Sequence, residues 1–201
     1  MNWRRSRGCP PRLQGRHMPM STGSASLLRE TYTTCFGNGL LLWREGALVA
    51  HSLPGRPAPP PMAAAVSPQS GEDTDIVEVS TGKGLAEMLR EYFTGRPVSF
   101  PVGLPLAWPR LSPFAAAVFA ALAAIPYGET RSYSRLAAAA GYPGAQRAVG
   151  TLLSCNPFPI ILPCHRVIRA DGSPGGYSSG REWKLRLLGM EGFPGNRIES
   201  G

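Results

Sequence analysis

Proline and glycine constrain this chain more than any other feature: 21 prolines and 24 glycines are spread through 201 residues, so no segment is free to form a long helix. Proline fixes φ and removes a donor, whereas glycine opens turns, and their clusters mark where elements stop. Residues 52–70 hold six prolines among small side chains with no helical period, which predicts a loop or insertion. Residues 96–113 space five prolines through an extended stretch, which predicts a connection between units. A chain of this length suffices for two small units, each with its own core. The boundaries expected are an N-terminal unit over 23–95, a linker over 96–111 and a C-terminal unit over 112–194, with tails at 1–22 and 195–201.

From Thr31 onward, short β-favouring runs (Thr31 to Phe36, Leu40 to Trp43, Ala47 to His51) alternate with Gly-containing turns, the pattern of a small antiparallel meander. Ile76 to Val79 is one more candidate strand, and Lys83 to Phe93 places Leu85, Met88, Leu89 and Tyr92 on one helical face. The C-terminal unit opens with Ser112 as N-cap and Pro113 at the first helical position, and its Ala-rich helix must stop before Pro126. Two short helices, Ser132 to Ala140 and Ala145 to Leu153, flank a Gly-Tyr-Pro-Gly break in a helix-turn-helix pattern. A last helix runs from Arg181 to Met190 and ends at Gly192. The fold class is therefore α+β: a small antiparallel α/β domain followed by a mostly helical one.

With 43% hydrophobic and 17% charged residues the composition is globular. The net charge of +8 favours a polyanionic partner. Five arginines lie in residues 1–17, however, and without them the balance is 16 basic against 13 acidic side chains. That Arg-rich start is read as a disordered tail or a misplaced start ahead of Met18 or Met20, with an organelle transit peptide as the alternative. The longest apolar run, Phe114 to Ile125, is twelve residues, short of the roughly 20 that cross a bilayer. No membrane association is expected. Cys9, Cys35, Cys155 and Cys164 form neither a Cys-x-x-Cys motif nor a dense disulfide framework, which fits a reducing cytoplasm. Together with His17 and His51 they match no structural zinc spacing, so no metal is expected.

Chemistry concentrates at Pro163-Cys164-His165-Arg166-Val167, which follows a run of Ile and Leu. A free thiol ionises near ~8.5, and only its thiolate is a good nucleophile, so Cys164 needs a base. His165 is nearest in sequence, yet neighbours in an extended segment point to opposite faces. A bridging water and an acid such as Glu191 holding the imidazole tautomer would complete a nucleophile, base and orienter. Taken singly, Cys164 reads better as a buried structural thiol, His165 as a core histidine bonded to a carbonyl and Glu191 as a helix-end surface acid.

Asn156-Pro157, the Pro-Cys-His-Arg-Val segment, Gly175-Gly176-Tyr177-Ser178 and Leu187 to Gly192 together resemble the O6-alkylguanine-DNA alkyltransferase family. The resemblance is strong from Ser112 to Gly192 and compatible from Thr31 to Phe93. It implies irreversible, single-turnover transfer of a methyl or small alkyl group from guanine O6 in duplex DNA, with thymine O4 as a further candidate, to Cys164. Cys164, His165 and Glu191 match the family's relay. Ala145, Ala148 and Gly150 match the small residues of a minor-groove helix, Arg147 its arginine finger, and Tyr133 the tyrosine that crowds the target's 3′ phosphate. The pocket matches are Tyr133, Val167, Ser178, Ser179 and Asn156, the last as the brace of the active-site turn. The resemblance implies a monomer that needs no cofactor, extrudes the target nucleotide and takes double-stranded DNA containing O6-alkylguanine as partner. The alternative is a lesion-binding relative without transfer activity, which the presence of Cys164 disfavours. A Cys-His hydrolase lacks a recognisable motif here, and a transcriptional regulator would require sequence-specific binding to undamaged DNA.

Overall fold

The computed structural model describes residues 27–56, 84–101, 103–108 and 111–193. The tails, most of the proline-rich loop and the candidate strand at Ile76 to Val79 lie outside the described residues.

Strands β1 (Leu27–Thr34), β2 (Gly37–Arg44) and β3 (Ala47–Ser52) form an antiparallel sheet in sequential order. Glu45 and Gly46 both take positive φ, the conformation a two-residue type I′ turn between β2 and β3 requires. Gly39 faces Tyr32 across the β1–β2 ladder, and a Cβ there would overlap the Tyr32 ring, so the glycine admits the ring to the sheet face. Helix α1 (Leu85–Tyr92), a little shorter than its sequence pattern predicts, buries Leu85, Leu89 and Tyr92.

Helix α2 (Pro113–Ala123) starts as expected, with the Ser112 hydroxyl accepting from Ala115 N at 3.2 Å. Its buried residues, Ala115, Val118, Phe119 and Leu122, follow the i, i+3, i+4, i+7 spacing of one helical face. After the short strand β4 (Arg131–Ser132), α3 (Tyr133–Ala139) and α4 (Gln146–Ser154) form the helix-turn-helix; Ser132 caps α3, and Ala145 is the N-cap of α4. A 3-10 turn over Cys164–Arg166 runs into β5 (Val167–Ile168), which pairs in parallel with β4, and α5 (Arg181–Met190) closes the chain. Among the described residues no helix is long and apolar enough to cross a membrane.

The two expected units share one core. A continuous cluster of buried side chains runs from Tyr32 and Leu48 in the sheet through Leu89 of α1 and Val118 of α2 to Phe158 and Leu187. Within the expected linker, Pro105 and Ala107 are likewise pinned: Leu48 N donates to Pro105 O at 2.7 Å and Ala107 N to Leu48 O at 2.8 Å, against the edge of β3. Prolines suit such an edge, because their missing donors face away from the ladder.

His51, on β3, ties the sheet to the chain that leads into Cys164. Its backbone N–H donates to Pro157 O (3.1 Å), its Nδ1 donates to Pro159 O (2.7 Å), and its Nε2 accepts from the Tyr32 hydroxyl at 2.6 Å. Both ring nitrogens are thus occupied, and among the described residues no cluster suited to a metal forms. Burial pulls the His51 imidazole from 6.5 down to about 4, with the bond to Pro159 opposing, so it folds neutral. Between those values the unfolded chain binds a proton that the native chain does not, so stability falls as pH drops from about 6.5 toward 4. The full effect is about 3 kcal/mol at the lower limit. Urea midpoints measured across this range should drop, and His51→Gln, which has no such proton to gain, should show a visibly shallower decline.

Candidate active site

The reactive segment is placed by a turn that starts at Asn156. Its Nδ2 donates to Leu162 O (2.9 Å) and to Cys164 Sγ (3.1 Å), while its Oδ1 accepts from Phe158 N at 3.0 Å. One amide therefore closes both ends of the loop and touches the thiol. Within that loop Ile160 sits at φ 71°, a left-handed conformation that costs a β-branched residue about 1–3 kcal/mol and persists only where surrounding bonds over-determine it.

Cys164 opens the 3-10 turn and is 4% exposed. The segment is not extended, so the rule that neighbours face opposite ways does not govern Cys164 and His165. The two share no direct hydrogen bond. His165 Nε2 lies 2.8 Å from Glu191 Oε1 and therefore donates to that carboxylate; Nδ1 is buried with no partner among the described residues. Glu191, at the C-cap of α5, also accepts from Arg166 Nε (2.8 Å) and Nη2 (2.9 Å), from the Tyr92 hydroxyl (2.6 Å) and from Gly128 N at 3.2 Å. Gly128 has φ 78°, and a Cβ on it would press to 3.2 Å from Glu191 O, so a glycine is required for this approach. Arg166 Nη1 donates to Ile125 O at 2.6 Å.

Burial alone would raise the Glu191 carboxyl, but donors from His165 and Arg166 overcome it and hold the group at about 2, well under 4.5. It is ionised at neutral pH. Burial lowers the His165 pKa, against the pull of Glu191, so the imidazole is neutral and its bare Nδ1 is a proton acceptor. Burial raises the Cys164 thiol, and the Asn156 donor, the Lys184 ammonium and the Tyr177 hydroxyl partly offset it. The resting group is a thiol with thiolate-stabilising dipoles already aimed at it. The Tyr177 hydroxyl lies beside this sulfur without a well-formed hydrogen bond among the described residues.

Lys184 is fully buried on α5 and donates to Val167 O (2.6 Å) and Gly176 O (3.3 Å), with its Nζ 5.8 Å from the Tyr133 ring centroid. Burial lowers its pKa from 10.5 to about 8, and Cys164 counteracts the fall. Tyr133 begins α3; its ring packs near Gly150 of α4 and Gly175. Burial and the neighbouring Cys164 raise the Tyr133 phenol, so it keeps its proton as a donor. Val167 is buried beside the thiol, Ser178 is exposed and Ser179 half-buried on the loop before α5. Arg147 and Ala148 project from the exposed face of α4, Ala145 and Gly150 are half-buried, and Val149 and Leu153 hold the helix to the core. Arg147 has no carboxylate partner among the described residues.

The structure thus ties Asn156 to the Cys164 sulfur and His165 to Glu191, sets Tyr133 within the field of the thiol, and leaves Arg147 and Ala148 exposed on α4. Sequence reasoning missed Tyr92, Arg166, Tyr177 and Lys184 as parts of the site. Two of them left a periodic trace: Tyr92 lies in the apolar stripe of α1, and Lys184 falls one turn before Leu188 on the inward face of α5.

Fold and site together define a helix-turn-helix protein in which a buried cysteine stands beside a histidine–glutamate pair. Residues 113–193 match the model of the 6-O-methylguanine DNA methyltransferase DNA-binding domain. The methylated-DNA–protein-cysteine methyltransferase of Mycolicibacterium paratuberculosis is 47% identical over 108 residues, 54% of this chain and 64% of that protein. The protein of that name from Methanosarcina barkeri is 46% identical over 106 residues, 53% of this chain and 65% of its own length. These alignments fall short of two thirds of the curated relatives they match. A crystal structure of Mycobacterium tuberculosis O6-methylguanine methyltransferase aligns with a TM-score of 0.63 at 34% identity, covering 83% of this chain and 93% of that one. A structure of the Mycobacterium tuberculosis protein in complex with DNA gives 0.62 at 34% identity, over 82% of this chain and 92% of its own. The chain belongs to the 6-O-methylguanine-DNA methyltransferase family.

Proposed function

We propose that this protein repairs DNA by direct reversal, moving a methyl or small alkyl group from guanine O6 to Cys164 in a single turnover. The observation that carries the reading is the buried sulfur held by Asn156 at 3.1 Å beside an imidazole whose Nε2 is tied to Glu191 and whose Nδ1 is bare. The thiol proton passes through a bridging water to His165 Nδ1, and Glu191 stabilises the imidazolium that results. The thiolate attacks the alkyl carbon, an S–C bond forms, the C–O6 bond breaks and its electron pair stays on the guanine. A proton on the purine neutralises that pair, and the Tyr133 hydroxyl, which keeps its proton, supplies it. The thioether has no route back to thiol, so each molecule acts once.

The target atom is inaccessible in a stacked duplex, so the nucleotide must be extruded at a cost of a few kcal/mol, least for a mispaired lesion. The α4 face with Ala145, Ala148 and Gly150 is small enough for a minor groove only ~6 Å wide. Arg147, exposed on that face, fills the gap in the stack, and Asn156 keeps the turn that joins α4 to the thiol. The protein acts as a monomer on double-stranded DNA carrying O6-alkylguanine. The decisive assay counts lesions lost per protein molecule on a duplex with one O6-methylguanine: the loss should plateau at one equivalent. Continued turnover, or tight lesion binding with no loss, contradicts the proposal. Arg147→Ala should slow transfer from duplex about tenfold or more, at a cost comparable to losing a desolvated contact, while transfer from the free O6-methylguanine base is unchanged.

A further inference from the structure

We infer that Tyr92, a residue of the N-terminal unit, is a positioning residue for His165: with Glu191 it holds the imidazole proton on Nε2 and leaves Nδ1 bare. The inference rests on the proposed function, in which Nδ1 receives the thiol proton. Tyr92 closes α1, is fully buried, and its ring meets those of Phe93, Tyr127 and His165 edge-on. Its position in an apolar helical stripe gives it the appearance of a packing residue. Its hydroxyl does something packing does not need. It donates to Glu191 Oε1 at 2.6 Å and, having one proton, presents only lone pairs to His165 Nε2 at 3.3 Å.

Nε2 therefore faces two acceptors, the carboxylate oxygen at 2.8 Å and the phenol oxygen behind it. The Nε2–H tautomer satisfies both. The opposite tautomer would set the Nε2 lone pair against two oxygen lone pairs and place the proton on Nδ1, where it would block uptake from the thiol. Burial and the Glu191 charge keep the Tyr92 hydroxyl protonated, so its donor cannot be lost at ordinary pH. A phenylalanine would fill the same space and keep the ring contacts. It would leave Oε1 to Arg166 and His165 alone, and Nε2–H with a single acceptor.

The test uses the full-length protein with 15N-labelled histidine, as wild type and as Tyr92→Phe. Ring nitrogen shifts of His165 should give a single Nε2–H tautomer in the wild type and a tautomer mixture in the variant. The rate constant for methyl transfer from an O6-methylguanine duplex should fall about tenfold, the lower end of what losing an outer hydrogen-bond partner of a functional imidazole costs, with duplex Kd unchanged. Unaltered nitrogen shifts overturn the inference even if the rate falls, since the defect is then one of packing. Altered shifts with an unaltered rate overturn it too. In the wild type, a slowly exchanging Tyr92 hydroxyl proton with a nuclear Overhauser contact to the His165 ring supports the inference without any variant, and a freely exchanging one contradicts it. Because the tautomer is read without DNA, a wild type that takes up no methyl group sinks the proposed function while the nitrogen shifts still decide the role of Tyr92.

Discussion

Cys164→Ala is expected to abolish alkyl transfer completely while leaving lesion binding intact. The substitution removes the nucleophile and little else: the sulfur is buried, and its one geometrically sound side-chain bond comes from Asn156, which keeps Leu162 O as a partner. Cys35 is exposed on the β1–β2 turn and Cys155 is the C-cap of α4, so Cys164 is the described cysteine whose sulfur Asn156 holds. Titration of a fluorescent duplex carrying O6-methylguanine should give the variant a Kd close to that of the wild type, with no methyl lost from the DNA. Residual transfer would place the nucleophile elsewhere. Loss of lesion binding together with transfer would mean that the thiol shapes the pocket rather than reacting within it.

Glu191→Ala should produce the largest loss of stability of any single change in the site. The carboxylate collects donors from His165, Arg166, Tyr92 and Gly128, and Arg166 is itself buried with no second acid among the described ion pairs. Removing it strands a guanidinium in the interior, and breaking one partner from such a pair costs about 3–5 kcal/mol. Glu191→Gln, which retains an acceptor oxygen, should lose less. The pH dependence has a defined sign: the carboxyl is held at about 2 instead of 4.5, so its contribution is present above 4.5 and disappears as pH falls toward 2. Urea unfolding at neutral pH checks the magnitude, and a loss under about 1 kcal/mol would show that Arg166 finds other partners or solvent. Transfer by the alanine variant should be severely impaired even at temperatures where it is folded, because His165 loses its orienting partner.

The parts of the site that were legible in the sequence are those carried by contiguous or fixed-spaced residues. Cys164, His165 and Asn156 lie within nine residues of one another, and Glu191 follows at the end of a helix whose register Gly192 marks. The antiparallel hairpins were equally plain, since Glu45-Gly46 and Gly37 supply the positive φ that tight turns need. What sequence could not supply is the geometry that depends on long-range closure. The segment before Cys164 looks extended because prolines punctuate it, yet Asn156 and His51 fold it into a turn, and the Cys164–His165 relation follows from that turn. Lys184 sits among apolar neighbours on α5 and is buried because two carbonyls, on Val167 and Gly176, converge on its ammonium. Tyr92 matches a core stripe and differs from one only through its hydroxyl, whose partner is ninety-nine residues away. One cluster of buried side chains spans both of the units that the chain's punctuation suggests.

The proposed chemistry is a covalent change at one sulfur. Intact mass and peptide mapping after mixing the wild type with a duplex carrying a single O6-methylguanine should find one added methylene, located on Cys164 and saturating at one equivalent. Protein that clears the lesion with no gain of mass, or that carries the methyl group on any other residue, would contradict it.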